Sequence, residues 1–105
     1  MKDVATQAPI TAVTVPIKEV AQHRRDFPGS QISFHLELDC PGLASLAALC
    51  QILEAAGLRM VTLKAGANGN VYCVLRDDGQ ADLSCLAQEL GRSATLNRWT
   101  TQIGC

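Results

Sequence analysis

The chain has 105 residues, with nine Lys and Arg against ten Asp and Glu for a formal charge of -1, and 48% of its residues are hydrophobic. That length gives one domain with a modest core, too short for a substrate domain beside a cofactor domain, so the chain is expected not to be an enzyme and to need no cofactor. A charge this close to zero gives no long-range field toward nucleic acid or an anionic membrane surface, so neither is expected as a partner.

Residues 1–30 differ in texture from the rest and are read as an amino-terminal arm: a polar start, a short alternation from Val13 to Ile17, a charged segment from Lys18 to Asp26, and a Phe27-Pro28-Gly29-Ser30 turn. The alternation is open to three readings. It can add an edge strand, where alone Pro16 is tolerated; Pro16 can begin one or two turns of helix through Val20 and Ala21; or the segment is a disordered tail. The folded domain is assigned to residues 31–105. It opens with Ile32, Phe34, Leu36 and Leu38 alternating with Ser33, His35, Glu37 and Asp39, a half-buried strand.

The spacing predicts a helix over 41–56, with Leu43, Leu46, Ala47, Cys50 and Leu53 as its apolar stripe and Gly57 past its end. Strands are predicted over 58–65 and 71–76, joined as a hairpin by Gly66-Ala67-Asn68-Gly69-Asn70. Asp77-Asp78-Gly79 punctuates the start of a second helix with Leu83, Leu86, Ala87 and Leu90 as its stripe, and a last strand covers 94–103. The order strand, helix, strand, strand, helix, strand predicts an α+β, ferredoxin-like sandwich, two helices on one face of a four-stranded antiparallel sheet. On the first helix Ala44, Ala48, Gln51 and Ala55 form a second side poor in charge. It is read either as a surface buried against another copy of the chain or as a solvated, alanine-rich helix face.

Five cysteines, Cys40, Cys50, Cys73, Cys85 and Cys105, are odd in number, contain no C-x-x-C pair and sit mostly within apolar patterns, as packing thiols do. No apolar run reaches the roughly 20 residues of a membrane span, and the amino terminus lacks the basic-then-apolar order of a secretory signal. A cytoplasmic protein is expected.

The most informative stretch is Asp39-Cys40-Pro41-Gly42-Leu43, where the alternating strand turns into the helix. The first backbone N–H groups of a helix lack intrahelical partners and, with the macrodipole, attract a carboxylate or another anion. Pro41 suits the first helical turn, Gly42 lets a ligand approach the backbone, and Asp39 can cap the helix or hold an ammonium group. These five residues are the candidate ligand-binding site.

On these residues the stretch 32–103 resembles an ACT domain, the small ligand-sensing module of amino-acid biosynthetic enzymes and their regulatory subunits. The likeness is carried by the first strand running into Asp39-x-Pro41-Gly42-Leu43 and by the apolar helix ending near Gly57. It implies paired copies and an amino acid bound at their interface, with Asp39 toward the ammonium and the amides of Gly42 and Leu43 toward the carboxylate. With no catalytic domain in the chain, it implies a free-standing regulatory subunit of a larger biosynthetic enzyme, similar to the small regulatory subunits of acetolactate synthase.

Four rival readings stand beside this one. A heavy-metal-associated domain also places its metal at the first strand-helix loop, where Cys40 offers one thiolate, but the second ligand three residues on is Leu43. His35, Glu37 and Asp39 on one strand face are then the only supplementary donors. An RNA-binding sheet needs exposed aromatics and positive charge, and Tyr72 and Trp99 are the candidates, Trp99 reading better as packing or an interface anchor. Among possible reactive groups Cys40 stands first, since a thiol at a helix start can have a lowered pKa. The last alternative is an interaction subunit that stabilises a larger enzyme without sensing a ligand.

Overall fold

The computed structural model describes residues 13–104. Pro16, which lacks a backbone donor, stands at the N-cap of a ten-residue helix, α1 (Ile17–Asp26), where that donor would have no partner. Glu19 in its first turn and His23, Arg24 and Arg25 in its last complement the helix dipole. Val20 is fully buried and Val15 nearly so, both in the same core as the rest of the chain. Burying one such side chain contributes about 1.5–3 kcal/mol. Much of the arm is thus an integral helix, longer than the one or two turns expected of it, and no edge strand forms between Val13 and Ile17. Residues 1–12 lie outside the described part.

Four strands and two further helices follow: β1 (Gln31–Asp39), α2 (Leu43–Ala55), β2 (Arg59–Ala65), β3 (Asn70–Asp77), α3 (Leu83–Ser93) and β4 (Thr95–Gly104). The sheet order is β2-β3-β1-β4 and every pairing is antiparallel. The fold is ferredoxin-like α+β, with α1 added ahead of the β-α-β-β-α-β unit. In the central strand β1, Ile32, Phe34, Leu36 and Leu38 are buried beneath the helices while Gln31, Glu37 and Asp39 are exposed. β3 repeats the pattern with Val71, Cys73 and Leu75. Two irregularities break the ladder: Val61 has no counterpart between the pairs Met60–Leu75 and Thr62–Val74, and Asn97 none between Glu37–Arg98 and Leu38–Leu96.

Helix α2 is apolar on nearly every side, and its buried line is Leu49, Leu53 and, just past its end, Ala56. The expected stripe is therefore rotated. Leu43 is 83% exposed and Ala47 is exposed, Leu46 and Cys50 are half-buried, and only Leu53 of the five is fully in the core. The opposite side is not simply outward either, because Ala48 and Ala55 face Cys85 and Glu89 of α3 across a shallow groove. Small residues there allow the two helices to lie close. The helix stops as Gly57 requires, at φ +90°, with Leu58 N–H donating to Leu53 O (3.2 Å) and Gly57 N–H to Glu54 O (3.0 Å). Helix α3 is capped by Asp82, whose carboxylate accepts from Cys85 N (3.0 Å), rather than by the Asp77-Asp78-Gly79 turn. Asp77 belongs to β3 and is buried for another purpose.

Candidate functional site

The β1–α2 junction is built by two contacts. Cys40 N–H donates to Gly69 O (2.8 Å), pinning the loop to the β2–β3 hairpin, and Leu46 N–H donates to Gly42 O (3.0 Å), closing the first turn of α2. The hairpin is itself closed by Gly66 N–H on Asn70 O (2.8 Å) and Gly69 N–H on Gly66 O (3.2 Å). Gly69 has φ +87°, and a Cβ there would meet Cys40 O at 2.9 Å, so both backbone conformation and space demand glycine.

Helix α2 begins at Leu43 with Gly42 as its N-cap, and no side chain caps it. Pro41 is thus outside the helix, two residues before its start, and Asp39 is not the cap. The N–H groups of the first turn are left to solvent or a ligand. They adjoin a cavity of about 230 Å³ between the loop and the hairpin, lined by Cys40, Pro41, Gly42 and Leu43 on one side and by Ala65 to Ala67 and Gly69 on the other, with Leu46 and Val71. Four of the five candidate residues therefore share one cavity. Asp39 does not line it: as the exposed end of the β1 alternation it projects from the sheet face away from the helices.

Cys40 is buried, and its thiol is not activated by the helix start. Loss of solvation raises its pKa, with Cys50 and Asp39 adding to the effect. Cys73, on β3 beneath α2, is pushed up to about 12 by burial first and then by Cys50 and Cys40. Cys40, Cys50, Cys73 and Cys85 are all free thiols, and Cys105 lies outside the described residues. Among the described residues no three His, Cys, Asp or Glu side chains gather closely enough to hold a metal ion, so His35, Glu37, Asp39 and Cys40 do not combine into one.

The sheet face away from the helices is polar. His35 Nδ1 lies 2.8 Å from the Tyr72 hydroxyl, and Glu37 meets Arg98 across strands at 3.5 Å, both side chains being half exposed or more. Trp99 points the other way, stacking its ring 4.8 Å from Phe34 and donating Nε1–H to Thr101 Oγ1 (2.9 Å). It is a packing residue. Sequence reasoning missed the pairing of Arg24 with Asp77, which comes from the packing of α1 against the end of β3, and the placement of Arg59 opposite Arg76, which comes from the strand register; local pattern supplies neither. Among the described residues no helix is long and apolar enough to cross a membrane.

The chain matches no protein-family model, no curated protein and no solved structure.

Proposed function

We propose that this chain is a regulatory module that binds a small amino acid at the β1–α2 loop and, as a pair of copies, modulates a larger enzyme of amino-acid metabolism. The observation that supports this most is the uncapped start of α2 beside the loop–hairpin cavity: amide donors at one end, and the apolar walls Pro41, Leu46, Ala65 and Val71 around it. Its volume of about 230 Å³ is below the about 300–1,000 Å³ of drug-sized pockets, which suits a ligand of amino-acid size. The amides would take the carboxylate, while Asp39, which projects from the other face of the sheet, would have to turn toward the rim to reach the ammonium. Binding at such a site modulates a partner by favouring one arrangement of the paired copies.

A second reading, a subunit that holds a larger enzyme together without sensing anything, draws on the exposed apolar residues of the same edge: Leu43 at 83%, Val61 at 51%, and Met60 and Leu63 on β2. One experiment separates the two. Thermal melting of the purified chain is followed against the twenty amino acids, with wild type beside Asp39→Ala and Gly42→Ala. Gly42 has extended backbone and nothing within 4 Å of a built Cβ, so its alanine variant keeps the fold while placing a methyl group at the helix start. A shift by one amino acid that both variants lose supports the sensor. A flat panel with a partner enzyme co-purifying supports the interaction subunit.

A further inference from the structure

At the end of the sheet opposite the β1–α2 loop, Arg59 opens β2 and stands directly across from Arg76 near the end of β3. Like charges directly opposite each other on neighbouring strands repel and destabilise the pair. Among the described residues neither guanidinium has a carboxylate within ion-pair distance, the ion pairs there being Arg24–Asp77, Arg92–Glu89 and Arg98–Glu37. Both arginines line a cavity of about 450 Å³ that also includes Arg24, Asp77, Asp78 and Phe27.

The charges in that cavity are unevenly committed. Arg24 spends its fork on Asp77, Nε to Oδ2 and Nη2 to Oδ1 at 2.8 Å each, which neutralises the buried carboxylate. Asp78 Oδ1 accepts from the Gln80 N–H (3.2 Å) in an exposed turn. Three guanidiniums thus line the cavity with two carboxylates, and the two without an ion-pair partner among the described residues stand on paired positions of the ladder. Backbones of paired residues lie about 4.5–5.5 Å apart. A guanidinium is a planar fork that matches phosphate as well as carboxylate geometry, and two forks on neighbouring strands can share the terminal oxygens and both charges of a phosphate dianion. Phe27, 45% exposed after the end of α1, offers an apolar ring at the same cavity.

We propose that this cavity is a binding site for a phosphate monoester with a planar or apolar body, of nucleoside monophosphate size, its phosphate bridging Arg59 and Arg76 and its body lying against Phe27. The site is separate from the amino-acid site and does not depend on it. The bound dianion converts the cross-strand repulsion into a shared attraction and ties β2, an edge strand, to β3.

The test is thermal melting of the full chain with AMP, ribose 5-phosphate or inorganic phosphate, each at fixed ionic strength made up with sodium chloride. All three phosphates should raise the melting temperature of wild type, AMP the most. Arg59→Gln and Arg76→Gln should lose those shifts while melting, without ligand, no lower than wild type, because each removes a repulsion. That pair of signs is one a merely structural arginine does not give. Phe27→Ala should bring the AMP shift down to that of ribose 5-phosphate and leave inorganic phosphate unchanged. Shifts that survive in both arginine variants, or that sodium chloride alone reproduces, overturn the site. AMP acting no more strongly than inorganic phosphate overturns the monoester assignment.

Discussion

Arg24 and Asp77, fifty-three residues apart, are joined by two parallel 2.8 Å hydrogen bonds. Asp77's side chain is fully buried and Arg24's is 26% exposed. The same guanidinium reaches Ala81 O at 3.2 Å, and Asp77 Oδ1 also accepts from Gly79 N at 3.0 Å. One side chain thus fastens α1 both to the end of β3 and to the approach of α3. Removing Arg24 would leave a buried carboxylate without its counter-charge, a loss that costs about 3–5 kcal/mol in well-buried pairs. Partial exposure of Arg24 places it at the low end, so Arg24→Met should destabilise the chain by about 3 kcal/mol. Asp77→Asn in the same background should recover part of that loss, since it removes the stranded charge. Urea unfolding of wild type and the two variants gives the answer, and a loss under about 0.5 kcal/mol, typical of exposed pairs, would mean the fork is a surface contact only.

Gly69 and Gly42 of the candidate site behave oppositely. Gly69→Ala imposes a side chain on φ +87° and drives its Cβ to 2.9 Å from Cys40 O, backbone that cannot swing aside. It should cost at least about 1–3 kcal/mol and loosen the Cys40–Gly69 clamp. Gly42→Ala meets neither obstacle and should change stability by less than about 1 kcal/mol. Hydrogen exchange at the Cys40 amide, which donates across the clamp, separates the two: faster in Gly69→Ala, unchanged in Gly42→Ala.

Much of this architecture is legible in local sequence. Ile32 to Leu38 alternate strictly, and the strand is there; Gly57 stops α2 where a left-handed residue is expected; Gly66 to Asn70 turn a hairpin. The phase of α2 was not legible, because its apolar residues run almost all round the helix and several stripes fit equally well. Only packing chooses Leu49, Leu53 and Ala56, and that choice turns Leu43 outward. Asp77, Asp78 and Asp82 are all plausible caps by residue type, and the long-range demand of Arg24 removes the first from contention. At the candidate site the cluster Cys40 to Leu43 was readable as a strand-to-helix turn. Its other wall comes from a hairpin some 25 residues on in sequence, and Asp39's outward placement follows from the period of two of its own strand.

If the paired copies of the proposed regulator meet along β2, its exposed Val61 and Leu63 are the residues at stake. β2 is an edge strand whose outer row of N–H and C=O groups is unpaired within the sheet, a template for a further strand. Val61→Lys with Leu63→Lys places charge on that edge without touching the core. Sedimentation should then give a monomer where wild type sediments as a dimer, with melting of the monomer still cooperative. A wild type that is monomeric at high micromolar concentration, or a double variant that remains dimeric, would take β2 out of the interface.

Cys73 gives the chain a dependence on alkaline pH whose sign follows from its environment. In the unfolded chain its thiol ionises near the ordinary value of 9.0, whereas in the folded chain burial under α2 holds the proton to about 12. Between those two values the unfolded state has released a proton that the folded state retains, so rising pH favours unfolding. The stability owed to the neutral thiol is fully present below pH 9 and is lost progressively as pH rises toward 12, with a limiting slope of about 1.4 kcal/mol per pH unit. Other groups also titrate there, and comparison with Cys73→Val, close in volume and unable to ionise, isolates this one. Urea unfolding of both proteins from pH 8 to 10.5 should show wild type losing stability more steeply above pH 9, the two curves running parallel below it. Parallel curves throughout would mean that Cys73 ionises as readily folded as unfolded, and that α2 does not seal it from water.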